Sequence, residues 1–209
     1  MNPSKIDIDR NISKLRVNSS EFLNLDTNTL INLLEQTIDN IKTISLYWAT
    51  ISSEKKGILS KSKEGEEWIG GPFATIYAIQ YFIEYLKKPN SLDLTNFDDS
   101  KKRYKVFPTK NIEKLLFPFI EGEVRFPKNM SFDQISQYRG FSNRFSNNKP
   151  KLTLILGAGN VSSIPVLDAL FHMIAHKSSI YLKLNPVNDY LLPVFTQVFD
   201  PFISRGYMI

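Results

Sequence analysis

The chain has 209 residues, of which 42% are apolar, 12% aromatic and 22% charged, with no cysteine, 9 glycines and 11 prolines. That balance can bury enough surface to fold and suits one large domain or two small ones. The lack of cysteine excludes disulfides, thiolate metal sites and a thiol nucleophile within these residues. The 26 basic against 21 acidic side chains give a net charge of +5, scattered along the chain and therefore a weak draw for polyanions. The densest basic group, Lys101, Lys102, Arg103 and Lys105, follows Asp98 and Asp99 and reads as a solvated loop, so no nucleic-acid partner is expected.

The amino terminus, MNPSKIDIDR, lacks the apolar stretch of a signal peptide. The runs TIYAIQYFIEYL and IPVLDALFHMIA are interrupted by Gln80, Glu84 and Asp168, so no membrane span is expected and the chain reads as cytoplasmic. From Thr29 to Ile51, apolar residues at steps of three and four predict an amphipathic helix. A second helix is predicted from Pro72 through Ile76, Ile79 and Ile83 to a stop at Pro89. Asn90 to Arg103 reads as a loop. Tyr104 to Phe107 and Glu123 to Phe126 are strand candidates, with LLFPFI between them as a buried connection. Ser131 with Gln134 has the pattern of a capping box opening a short helix to Tyr138.

After a turn at Asn147 to Lys151 the pattern sharpens. Leu152 to Leu156 reads as a strand, followed by Gly157, Ala158, Gly159 and Asn160, then a helix from Ser163 to His176. Ile180 to Lys183 reads as a second strand, Asn188 to about Gly206 as a second helix, and Tyr207 to Ile209 as the start of a third strand. This alternation predicts a parallel sheet, cut short of a complete domain. Ligands of open parallel sheets bind beyond the carboxyl ends of the strands. Small residues at Gly157 to Gly159 admit a close approach there, Ser162 or Ser163 can cap the next helix, and Lys183 is an unusual residue for a buried strand. A plain tight turn needs the same glycines, and a lysine suits a solvated strand end, so the pattern leaves a nucleotide site and a simple turn both open.

LTLILGAGNVSSIPVLDALF with IYLKLNPVNDYLLPVF resembles the start of the cofactor-binding domain of the NAD(P)-dependent aldehyde dehydrogenase superfamily, in its bacterial aldehyde dehydrogenase-like and acyl-CoA reductase branch. EEWIGGPFATI and VFPTKNIEKLLFPFIEGEV are similar to upstream segments, so the resemblance covers most of residues 64 to 209. It implies an α/β fold: an incomplete Rossmann-like parallel sheet over residues 151–209, preceded by a largely helical leader and part of a first domain over residues 1–150. It further implies that Asn160 is the catalytic loop amide that helps to hold an oxyanion, and that Gly157, Ala158, Gly159, Lys183 and Asn185 are cofactor-binding, with Lys183 on the adenosine ribose. The implied cofactor is NAD or NADP, and the implied substrate of the full-length protein an aldehyde or an acyl thioester.

Several departures matter. The family's acidic ribose partner falls on Pro186, which leaves NAD and NADP both open, and the aromatic beside the loop asparagine is Gly159. The nucleophilic cysteine, the catalytic glutamate and the phosphate-side glycine turn have no counterpart and would lie beyond Ile209. The expectation is thus the amino-terminal part of an oxidoreductase, silent alone, as a homo-oligomer or beside a complementary chain. The alternative is a noncatalytic dinucleotide-binding or partner module that completes its sheet with another chain.

Three other groupings carry no chemistry. Asp168, His172 and His176 recur at intervals of four, but a stripe of Ile164, Leu167, Leu170, Phe171 and Ile174 is expected to face the sheet and leave them near water, so no metal site is expected. Glu64, Glu66 and Glu67 beside Trp68 read as a solvated segment. Tyr77, Tyr81, Phe82 and Tyr85 read as helix core.

Overall fold

The computed structural model describes residues 4–58, 60–88, 94–137 and 149–209. Two compact units divide the chain, Met1–Lys88 with Arg144–Ile209 and, between them in sequence, Pro89–Asn143.

The first unit opens with helix α1, Lys5–Leu23, which the sequence reading did not anticipate. Ser4 caps it by accepting from the Asp7 amide, and the Asp7 carboxylate accepts from the Ser4 amide in return. Helix α2, Thr27–Lys55, follows after an Asp26 cap and buries Leu30, Leu33, Leu34, Ile41 and Trp48 along one face. Each such side chain removed from water contributes about 1.5–3 kcal/mol.

The helix expected to start at Pro72 starts earlier. Helix α3, Lys61–Trp68, runs through a wide π-turn at Ile69–Phe73 into helix α4, Ala74–Lys87. Proline lacks an N–H to donate and crowds the preceding turn, and a widened turn is where a helix can accommodate one. Glu67 is not solvated as expected: it is only 4% exposed. On α4, Ile79 and Ile83 are buried and Phe82 packs on the core, whereas Tyr77, Tyr81 and Tyr85 are only half-buried. Phe73 and Tyr77 stack at 5.6 Å along this helix, and Tyr77 meets Tyr81 edge-on at 5.3 Å.

Strands β4, Lys151–Leu156, and β5, Ser178–Lys183, pair in parallel, joined through helix α7, Ile164–His176. Lys151 is thus the first residue of a strand, while Asn147 and Asn148 of the expected turn lie outside the described residues. Ile155, Ile180 and Leu182 face the core shared with α2 and α7. On α7 the buried stripe is Val166, Ala169, Leu170, Met173 and Ile174; Phe171, expected to face the sheet, is 43% exposed and meets the His172 and His176 rings edge-on. The expected second helix is broken into a tight turn at Pro186–Leu191 and two short helices, α8, Leu192–Val198, and α9, Asp200–Ile203. Pro193 and Pro201 each sit in a first turn, where proline restarts a helix, and Gly206 ends the run at φ +69°. Residues Tyr207 to Ile209 then pair with β5, through Ile180 N–H to Tyr207 O at 2.9 Å and Leu182 N–H to Ile209 O at 2.8 Å.

The second unit holds an antiparallel sheet in the order β1, Phe97–Asp98; β2, Arg103–Phe107; and β3, Gly122–Arg125. The expected loop over residues 90–103 therefore contains a strand, and its first part lies outside the described residues. The basic group is neutralised in place, Lys101 by Asp98, Lys102 by Asp99, Arg103 by Glu123 and Lys105 by Glu121. Helix α5, Asn111–Leu116, lies between β2 and β3, and the LLFPFI segment is exposed, not buried: Leu115, Leu116 and Ile120 face solvent and Phe119 is 96% exposed. Among the described residues, Phe117 of that segment meets the Phe107 ring at 5.5 Å. Helix α6, Phe132–Gln137, opens with the expected capping box, Ser131 and Gln134 exchanging bonds at 2.8 and 3.2 Å; Tyr138 lies outside the described residues. Among the described residues no helix is long and apolar enough to cross a membrane.

Candidate functional site

Strands β4 and β5 end level with each other, because Leu156 pairs with Lys183 and the Gly157 amide donates to the Lys183 carbonyl at 2.9 Å. The loop with Gly157, Ala158, Gly159 and Asn160 and the loop with Lys183 and Asn185 therefore leave one sheet edge side by side. They also touch. A β-carbon on Gly159 would come within 2.6 Å of Val187 Cγ2 and 2.9 Å of Asn185 Cγ, and one on Gly157 within 3.1 Å of Pro165 Cβ. A side chain at Gly159 would therefore have to displace Val187 or Asn185, and one at Gly157 would press on Pro165, so contacts within the chain itself favour glycine at both positions.

Asn185 caps the Pro186–Leu191 turn, its side-chain oxygen accepting from the Val187 amide at 3.1 Å. Asn188, which sequence reasoning did not single out, is buried and donates through Nδ2 to the Ala158 carbonyl at 3.1 Å, tying the two loops together. Neither Ser162 nor Ser163 caps α7 with its side chain. The Ser162 hydroxyl instead accepts from the buried Trp48 indole at 3.1 Å, and the Ser163 amide donates to the Gly70 carbonyl at 3.1 Å. With the Ile164 amide turned back to Val161 and Pro165 carrying no N–H, the first turn of α7 offers few amides to an anion.

Asn160 is exposed, and its carboxamide has no hydrogen bond among the described residues; its backbone carbonyl accepts from Lys56 Nζ at 3.4 Å. Lys183 is also exposed, with Nζ 3.3 Å from the Leu184 carbonyl. The site thus presents one free amide donor and one ammonium on neighbouring strand ends. Lys56 in turn pairs with the buried Glu67 at 2.7 Å, a contact that no local pattern announces because eleven residues separate the two.

On α7, Asp168 is exposed while the His172 and His176 rings stack at 4.9 Å. Burial holds the His176 imidazole below its ordinary pKa, and the neighbouring His172 and Lys151 add to that effect. Among the described residues, no group of three or more histidine, aspartate or glutamate side chains is arranged to hold a metal.

No protein-family model matches the chain, and no curated protein or solved structure matches it either.

Proposed function

We propose that residues 151–209 form the opening part of the cofactor-binding domain of an NAD(P)-dependent oxidoreductase of the aldehyde dehydrogenase type, acting on an aldehyde or an acyl thioester. One observation carries this reading: the in-register pairing of Leu156 with Lys183 sets the loop of Asn160 beside an exposed lysine, with the Asn160 carboxamide unpartnered. The exposed ammonium of Lys183 suits a ribose hydroxyl or a 2′-phosphate, and Pro186 puts no carboxylate in the way, so the choice between NAD and NADP stays open. The Asn160 amide can donate to an oxygen that gains negative charge during reaction. A bound nicotinamide supplies the hydride acceptor or donor. The chain contributes no thiolate, since it has no cysteine, and so by itself turns over no aldehyde through a covalent thiol step.

A second reading, a noncatalytic dinucleotide-binding or partner module, is favoured by the outer side of the parallel pair. Among the described residues β4 is paired on one side only, and Leu154 and Leu156 are 58% and 69% exposed. Fluorescence titration of the purified chain with NADH and NADPH tests the main reading. Binding of either, weakened about tenfold in Lys183→Ala, is expected for a charge-assisted contact. No binding at millimolar concentration would overturn it. Co-purification with a second chain that carries the missing cysteine would support the module reading, and an isolated monomer would count against it.

A further inference from the structure

We propose that the Lys56–Glu67 ion pair is a positioning device for the Asn160 loop, an inference that rests on reading Asn160 as an oxyanion donor. Glu67 is 4% exposed and lies against Lys56, the residue that caps the carboxyl end of α2. A carboxylate buried there is opposed by loss of hydration. Replacing such a pair by apolar residues is often neutral or stabilising, so the pair is weak evidence of a stabilising role.

What the pair supplies is direction. The Lys56 ammonium takes Glu67 at 2.7 Å and also donates to the Asn160 carbonyl at 3.4 Å. Among the described residues this is the one hydrogen bond that reaches Asn160. Just beyond it, Ser162 is held by Trp48 and the Ser163 amide by Gly70, so that the leader helices hold residues 160, 162 and 163 in turn. Gly70 and Gly71 of the π-turn make room for this, since β-carbons there would come within 3.3 Å of Val161 Cγ1 and 2.9 Å of Ser162 Oγ. The backbone of Asn160 is thereby tied to these helices, while its carboxamide stays open to an incoming oxygen, the arrangement a donor to a developing charge needs.

The test is backbone relaxation by nuclear magnetic resonance on the full 209-residue chain, with Lys56→Met, Lys56→Arg and the double variant Lys56→Met/Glu67→Leu. The double variant leaves no unpaired buried carboxylate and guards against simple unfolding. Order parameters at Asn160 and Val161 are expected to fall from about 0.85 to below about 0.6 in Lys56→Met and in the double variant, to stay near the parent value in Lys56→Arg, and to be unchanged at Ile155 and Leu170. Rigid Asn160 and Val161 amides in the double variant would overturn the proposal, as would loosening that extends to Ile155 and Leu170. No cofactor enters this measurement, so a failure of NADH and NADPH to bind would fall on the proposed function alone.

Discussion

The indole N–H of Trp48 donates to the hydroxyl of Ser162 across 3.1 Å, and both side chains are buried. This bond joins the long second helix to the turn that follows the first parallel strand, 114 residues further along the chain. The Trp48 ring also meets Phe195 edge-on at 5.4 Å, so the same side chain links that helix to the one that follows the second strand end.

Trp48→Phe keeps much of the packing and leaves the Ser162 hydroxyl without its donor. A loss of about 1–3 kcal/mol in urea unfolding is expected, because a buried polar atom then goes unsatisfied. Adding Ser162→Ala should return part of that loss, and a double-mutant cycle measures the coupling.

Gly159→Ala inserts a methyl group into space occupied by Val187 and Asn185. The expected cost is about 1–3 kcal/mol, as for overpacking elsewhere. Val187→Ala in the same chain should recover part of it, which thermal unfolding of the single and double variants would show.

The parallel pair was legible because each strand is a short apolar run and glycines mark where the first one ends. The long helix over Leu30 to Trp48 was legible from its period. Other features depend on partners distant in sequence. Glu67 reads as a surface charge until Lys56 is set beside it, and Pro72 reads as a helix start until the wide turn at Ile69–Phe73 is seen. The apolar residues of α1 that matter, Leu15 and Phe22, lie seven apart, and the one apolar residue between them, Val17, faces solvent, so its period was faint, although Ser4 and Asp7 did carry a capping signature. In the LLFPFI segment composition pointed inward, yet its first two residues end the short helix Asn111–Leu116, which turns Leu115 and Leu116 to solvent.

Phe119→Ser should therefore change the unfolding free energy by no more than about 0.5 kcal/mol, the usual range for exposed positions. Chemical denaturation of the isolated chain measures this directly.

Tyr207 donates to the Glu21 carboxylate at 2.6 Å, and burial together with that hydrogen bond and the negative charge pushes its pKa up to about 12. In the unfolded chain the phenol ionises near pH 10, as ordinary tyrosines do. Between those values the unfolded state binds fewer protons than the folded one, so stability falls as pH rises from about 10 to about 12. Tyr207→Phe should lack this component, and urea midpoints for parent and variant should converge as pH rises from about 10 to about 12.

The most direct measurement is amide chemical-shift mapping of the isotope-labelled chain during addition of NADPH, repeated with NADH. Shifts centred on Gly157 to Asn160 and on Lys183 to Asn188, saturating together and needing about tenfold more dinucleotide to saturate in Lys183→Ala, are the expected result. No shifts, or shifts confined to other parts of the chain, would contradict a dinucleotide site at the paired strand ends.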